Sequence, residues 1–282
     1  MHVRLSSPSR DIVETRTLAV RGLAARVRPD ALAGEEPMEI RAAGPDQAPV
    51  SVAVTMRTPG HDEELAAGFL VTEGLVAPGE IAGFELGDPA AVARPDNVIT
   101  VRLRSRFDST AVATRNFAAT ASCGICGKAS LDAVETRCER LGPGPSVSRD
   151  TIVALPAALR AAQEAFEATG GLHAAGLFDA AGRLQGIRED VGRHNALDKL
   201  VGAMALADGL PLATAVLLVS GRVSFEIVQK AAMAGIPVTC AVSAPTDLAV
   251  EAAERFGMTL VGFLRGDGFN VYAHPERIAL EV

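Results

Sequence analysis

The sequence predicts an α/β protein made of a smaller N-terminal α+β domain and a larger C-terminal domain with a mostly parallel sheet covered on both faces. Three observations predict it. Residues 173–264 alternate apolar β-type runs with helical periods. Residues 38–103 hold short strands around one helix. Between the two lies a small, polar stretch with neither period. With 282 residues the chain reaches the upper edge of what one core holds, which favours two domains.

Taken in order, residues 1–16 mix His2, Arg4, Arg10, Asp11, Glu14 and Arg16 without an apolar centre, so they do not read as a signal peptide. Residues 38–42 and 50–56 are strands, the second alternating Val52, Val54 and Met56. After the turn at Thr58, Pro59 and Gly60, Asp62 is placed to cap a helix that turns Leu65, Phe69 and Leu70 to a core and ends near Gly74. Residues 97–103 alternate again. From 104 to 122 the text is small and polar, which divides the chain into a first domain at 1–110, a linker at 111–121 and a second domain at 122–282.

In the second domain a helix is expected over 128–140, with Leu131, Val134 and Cys138 on one face, stopped by Gly142, Pro143, Gly144 and Pro145. Another starts at Pro156 as its first residue and ends at Gly170 and Gly171. Residues 173–178 and 184–187 form a hairpin, and 195–206 a helix. Residues 215–220 are a buried strand, Ser224 caps a helix to Ala234, and 238–242 are a strand with Cys240 in the core. A helix over 247–256 and a strand over 259–264 follow.

Composition excludes several classes of function. A net charge of -7 and a pI near 5.3 give no footprint for duplex DNA or an acidic membrane. One Tyr and no Trp disfavour a base-stacking nucleic-acid binder. The longest strongly apolar run, 215–219, is too short to span a bilayer, and a cytoplasmic protein is expected. Four cysteines are too few for a disulfide scaffold.

Cys123 and Cys126, in Ser-Cys-Gly-Ile-Cys-Gly-Lys, sit between glycines just before an expected helix. The helix dipole, unpaired N–H groups and Lys128 all favour thiolate there. Four readings compete. The pair could be buried small hydrophobes, a thioredoxin-type couple, two zinc ligands, or a sulfur carrier holding a persulfide. No strand directly precedes the pair, as a thioredoxin needs, and no second metal-spaced pair completes a zinc set. No metal site is therefore expected, but chemistry alone does not rank the persulfide first.

Two loops suit an anionic ligand. Arg188, Glu189, Asp190, Gly192, Arg193, His194 and Asn195 gather where a hairpin meets a helix start, with His194 and Asn195 able to donate hydrogen bonds. Ser220, Gly221, Arg222 and Ser224 follow an apolar strand, where open α/β sheets place ligands. A solvated charged turn is the plainer reading of the first loop.

The segments Met56 to Gly60 with Asp62 to Phe69, Ser122 to Gly127, Arg-Glu-Asp-Val-Gly-Arg-His-Asn-Ala-Leu-Asp-Lys at 188–199 and Ser-Gly-Arg-Val-Ser-Phe-Glu-Ile-Val-Gln-Lys at 220–230 run along nearly the whole chain. On them the chain resembles the formate dehydrogenase accessory sulfurtransferase family (FdhD). The resemblance implies a C-terminal three-layer αβα domain similar to cytidine deaminases. It also implies a sulfurtransferase that takes persulfide sulfur from a cysteine desulfurase, with Cys123 as carrier and Cys126 as its partner. The sulfur goes to the molybdenum cofactor (bis-molybdopterin guanine dinucleotide), a transient ligand, before the formate dehydrogenase catalytic subunit receives it. Phe263, Leu264, Arg265, Gly266, Asp267 and Gly268 are implied to bind that cofactor, together with Arg188, His194, Asn195, Ser220 and Arg222. Gly268 stands where some relatives have a basic residue, and a plain glycine turn explains the same segment.

The sequence leaves open a homodimer and a cofactor-binding chaperone without sulfur chemistry. A deaminase is disfavoured: His61-Asp62-Glu63 has the required spacing, but Ser122 replaces the needed Pro and His61 falls at a helix start in the other domain.

Overall fold

The computed structural model describes residues 11–113 and 140–280. It opens with a two-stranded antiparallel ribbon, β1 (Ile12–Arg21) and β2 (Ala24–Ala33), turned at Gly22 with φ +59°. Leu18, Val20, Leu23 and Val27 stand exposed along its outer half. No core covers either face there, so neither shows the alternation by which a strand is recognised in sequence.

A four-stranded sheet follows, built of β3 (Glu36–Ala43), β4 (Val50–Arg57), β5 (Ile81–Leu86) and β6 (Val98–Leu103) in the order β4-β3-β6-β5. Helix α1 (Asp62–Thr72) covers one face, packing Leu65 and Leu70 on Met38, Ile40, Ile99 and Val101. The cap differs from the expected one. His61, at φ 57°, occupies the N-cap, while both Asp62 carboxylate oxygens accept hydrogen bonds from the buried Arg57 at 2.9 Å. A one-turn helix, α2 (Thr110–Ala113), takes the first residues of the expected linker. The rest of that linker, the cysteine motif and the helix expected over 128–139 lie outside the described residues.

The short strand β7 (Val147–Ser148) leads into α3 (Arg149–Ala161), and the Ser148 hydroxyl accepts from the Thr151 N–H at 3.1 Å. Pro156 is therefore inside this helix, not at its start. It removes one helical hydrogen bond. Burial of Ile152, Leu155 and Leu159 offsets that loss. Helix α4 (Glu164–Thr169) ends where expected, at left-handed Gly170.

The main sheet contains β8 (His173–Phe178), β9 (Leu184–Asp190), β10 (Val216–Val219), β11 (Val238–Ala241), β12 (Thr259–Arg265) and β13 (Gly268–Ala273), ordered β13-β12-β11-β10-β8-β9. Only β10-β11 and β11-β12 are parallel pairs, so the sheet is mixed rather than mostly parallel. The reason is local: a hairpin, β8-β9 on one side and β12-β13 on the other, flanks the parallel centre. Beyond it, β14 (Ile278–Ala279) pairs with β7.

Both faces are covered. Leu217, Val219 and Leu260 pack toward α5 (Arg193–Leu206), α6 (Phe225–Met233) and α7 (Asp247–Phe256), and Val216, Leu218, Cys240 and Val261 pack toward α3. A strand buried on both sides needs this continuous apolar run.

The two sheet regions are joined at α1 against α5. A Cβ built on Gly68 would lie 1.8 Å from the Asp198 carbonyl oxygen, and one on Gly202 1.8 Å from that of Glu64, so the two backbones touch through bare glycines. Beside this crossing is a buried polar set. The Thr72 hydroxyl donates to Asp198 at 2.6 Å, and the Lys230 ammonium lies 3.0 Å from Asp198 and 2.8 Å from Glu73. Lys199 pairs with Asp190 at 2.7 Å and donates to the Thr58 carbonyl at 2.8 Å. Removing one partner of such a buried pair costs about 3–5 kcal/mol.

Candidate functional site

β9, β10, β11 and β12 run the same way, so their carboxyl ends share one edge of the sheet, where β8 also begins. This is where open α/β sheets hold ligands. The segments after the strands are tied together: Val223 bridges to Pro245, and the Phe263 N–H donates to the Ser243 carbonyl at 3.1 Å.

The predicted site residues divide at this edge. Arg222 is exposed and makes no hydrogen bond or ion pair to a described residue. His194 has Nε2 3.3 Å from the Ser224 hydroxyl oxygen. Burial first, then the charges of Lys230 and Arg193, bring its pKa down to about 4, so it is a neutral imidazole near pH 7. The Ser220 hydroxyl accepts the Ala174 N–H at 2.9 Å and pins the start of β8.

Arg188 and Asn195 turn inward, contrary to the ligand-facing role expected of them. Arg188 grips Glu64 with two hydrogen bonds, at 2.5 and 2.8 Å, because its strand lies beside α1. Burial raises the Glu64 pKa, but hydrogen bonds from Arg188 and His61 outweigh that and hold it at about 2. Asn195 is buried, and its amide donates to the Met56 carbonyl at 2.7 Å and to Asp190 at 3.1 Å, using both donors. Much of the charged 188–199 segment thus closes the joint between the two sheet regions.

The 263–268 segment is the turn of the β12-β13 hairpin. Phe263 is exposed at φ 53°, Leu264 is fully buried, and the Arg265 guanidinium stands 5.6 Å from the Phe263 ring centroid. Gly266, at φ +62°, makes the turn, the Asp267 carbonyl accepts from Arg149 at 2.6 Å, and Gly268 opens β13. An aromatic ring beside a guanidinium suits a flat heterocycle bearing negative charge.

Cys123 and Cys126 lie outside the described residues. Cys240 is buried in β11, and desolvation pushes its thiol up to about 12, which leaves it inert. His61 is an exposed helix-start residue paired with Glu64 at 3.1 Å. Among the described residues no group of three or more His, Cys, Asp or Glu is placed to hold a metal. No described helix is long and apolar enough to cross a membrane.

One residue at this edge escaped sequence reasoning. His173 opens β8, opposite Asp190 in register, and a single histidine at a strand start carries no motif signal. Arg193 belongs to the charged segment, but nothing in its spacing separated it from Arg188.

The model of the FdhD/NarQ family matches residues 33–279. A protein of Mycobacterium tuberculosis named Sulfur carrier protein FdhD is 51% identical over 261 residues, covering 89% of this chain and 92% of its own. One of the same name from Streptomyces avermitilis is 50% identical over 272 residues, covering 94% and 95%. The crystal structure of a protein from Desulfotalea psychrophila, described as a formate dehydrogenase accessory protein, superposes with a TM-score of 0.73 at 25% identity, covering 95% of this chain and all of that one. The chain belongs to the FdhD/NarQ family.

Proposed function

We propose that this protein is a cytoplasmic sulfurtransferase that carries sulfur as a persulfide on Cys123 and delivers it to the molybdenum cofactor for formate dehydrogenase. The Cys123 thiolate attacks the outer sulfur of a cysteine desulfurase persulfide, and the desulfurase thiolate leaves. Cys126 either stabilises the Cys123 persulfide or attacks its inner sulfur, closing a Cys123–Cys126 disulfide as the outer sulfur leaves at the hydrosulfide level. The observation that carries this reading is the half-identity, over nearly full length, to proteins named as sulfur carriers. The six-stranded region is read as a cytidine-deaminase-like layer that has lost the deaminase zinc set.

The cargo, bis-molybdopterin guanine dinucleotide, is proposed to lie along the carboxyl edge. The Phe263 to Gly268 turn takes its flat portion, and Arg222 and His194 take its anionic portion. Arg188, Asn195 and Ser220 act as positioning residues for the same edge. Exposed Arg222, the Phe263 ring with its guanidinium neighbour and the shared edge support this arrangement. The test is maturation of formate dehydrogenase in a strain lacking its own copy of this protein. Cys123→Ala is expected to fold and to yield inactive dehydrogenase, and full dehydrogenase activity with that variant would overturn the proposal.

A further inference from the structure

We infer that the β1-β2 ribbon is a docking arm for the formate dehydrogenase subunit that receives the cargo, gripping a protein surface with an apolar centre and an acidic rim. The inference rests on the reading of the carboxyl edge as the place from which the cofactor leaves. Except for Ala33, the ribbon lies ahead of residues 33–279, the part of the chain that the family model matches. An isolated two-stranded hairpin is marginal in water. This one exposes every residue from 20 to 29, and a covering partner would take its apolar side chains out of solvent.

The register separates two kinds of side chain. Leu18 stands opposite Val27 and Val20 opposite Ala25, so these four share one face, and Leu23 is fully exposed at the turn. Six of the thirteen large hydrophobic side chains exposed among the described residues fall between Ile12 and Ala33, too dense a cluster for scattered surface residues. The pairs Thr17–Arg28, Ala19–Arg26 and Arg21–Ala24 occupy the opposite face. With Arg16 they give four arginines and no acidic residue between positions 16 and 29, in a chain whose net charge is -7.

The chemistry of the occupant follows from this pattern. Interface centres are apolar and enriched in arginine, and guanidiniums pair well with carboxylates. A bilayer would take an apolar tip with its cations in one ring at headgroup depth. Here the guanidiniums run along the outer ribbon from Arg16 to Arg21, which fits the side of a protein. The ribbon of a second copy carries the same charge and is repelled. Position selects the recipient of the cargo. A Cβ built on Gly171 would lie 3.5 Å from the Ala33 Cβ, two residues before β8 begins at the carboxyl edge. Helix α4, just ahead, donates the Ala165 and Phe166 N–H groups to Glu189, near the end of β9, at 3.0 and 2.9 Å. A strand of ten residues spans roughly 33 Å, so from this base the arm reaches a protein seated on the edge.

Biolayer interferometry of the full chain against the purified, cofactor-free formate dehydrogenase subunit tests the inference. Binding is expected, and it should weaken about tenfold as sodium chloride rises from about 0.05 to 0.3 M. Leu23→Ser should weaken it severalfold, and Arg21→Glu combined with Arg26→Glu at least tenfold. Leu86→Ser and Arg183→Glu, exposed elsewhere, should change it less than twofold. Unfolding midpoints and circular dichroism matching wild type show that the variants fold; if the arginine double variant does not, Leu23→Ser and the salt dependence decide. A subunit that does not bind, or that binds every ribbon variant within twofold of wild type, would overturn the inference. So would loss, in the same variants, of binding to phosphatidylglycerol vesicles, to a cysteine desulfurase or to a second copy while binding to the dehydrogenase subunit is kept. If Cys123 still accepts sulfur in those cases, the docking arm fails while the sulfur-carrier reading stands; a chain that accepts no sulfur at Cys123 fails that reading whatever the ribbon binds.

Discussion

Replacing Gly202 by Ala sets two physical effects of opposite sign against each other. In an isolated helix the change is stabilising, by about 0.8–1 kcal/mol of helix propensity. In α5 the new methyl would sit 1.8 Å from the Glu64 carbonyl oxygen and 2.8 Å from the Gly68 nitrogen, both backbone atoms of α1 that no rotamer change can move. Carbon and carbonyl oxygen rarely approach closer than about 3.3 Å, so α1 must retreat from α5 by roughly 1.5 Å. Overpacking on that scale costs about 1–3 kcal/mol or more. The retreat also stretches the 2.6 Å Thr72–Asp198 bond and the Lys230 contacts to Glu73, where a broken buried set costs about 3–5 kcal/mol. We expect a net loss of about 3 kcal/mol at pH 7, read from urea unfolding by circular dichroism with an unchanged denaturant slope. Gly79→Ala, with open space around its added methyl, should change stability by less than about 0.5 kcal/mol. A Gly202→Ala protein as stable as wild type, or more so, would refute the close helix contact and the joint built on it.

Three further outcomes are expected. Glu64 has its pKa depressed to about 2, so its contribution to stability is present above its unfolded pKa and is lost as pH falls through the folded one. Glu64→Gln should remove about 1 kcal/mol at pH 7, a figure discounted for solvent screening, and flatten the stability profile between about pH 4.5 and 2. An unchanged acid limb would count against the Arg188 pair. His274 has its pKa raised, first by the Glu254 carbonyl and then by Glu276. Its contribution is full below the unfolded value and is lost as pH rises through the folded one, so His274→Gln should abolish a decline in unfolding midpoint above about pH 6.5. A decline that persists would refute that assignment. Arg222→Ala should weaken guanosine diphosphate by about 1.5–3 kcal/mol in calorimetry without altering thiol reactivity, and equal affinities would remove Arg222 from the site.

Much of the central sheet was legible because strands buried on both faces must be continuously apolar, as Val216 to Val219 are. The sheet's mixed direction was not, since periodicity reports burial and carries no sign for strand polarity. The β1-β2 ribbon was missed because no core imposes alternation on it. The Ser220–Arg222 and Phe263–Gly268 segments lie at the carboxyl edge of the sheet, a place legible from their position after strands. Arg188 and Asn195 misled for a physical reason: charged and amide groups that pair inside a joint are written in the same letters as groups that meet a ligand. Glu64 and Met56, which claim them, lie about 120–140 residues away in sequence, beyond the reach of local pattern.

The central claim is covalent sulfur carriage at Cys123, and intact-protein mass after incubation with a cysteine desulfurase and cysteine tests it most directly. A gain of one sulfur atom is expected, lost on reduction with a thiol and absent from Cys123→Ala. A protein that gains no sulfur while still binding guanosine diphosphate would contradict it and leave a cofactor-binding chaperone without sulfur chemistry.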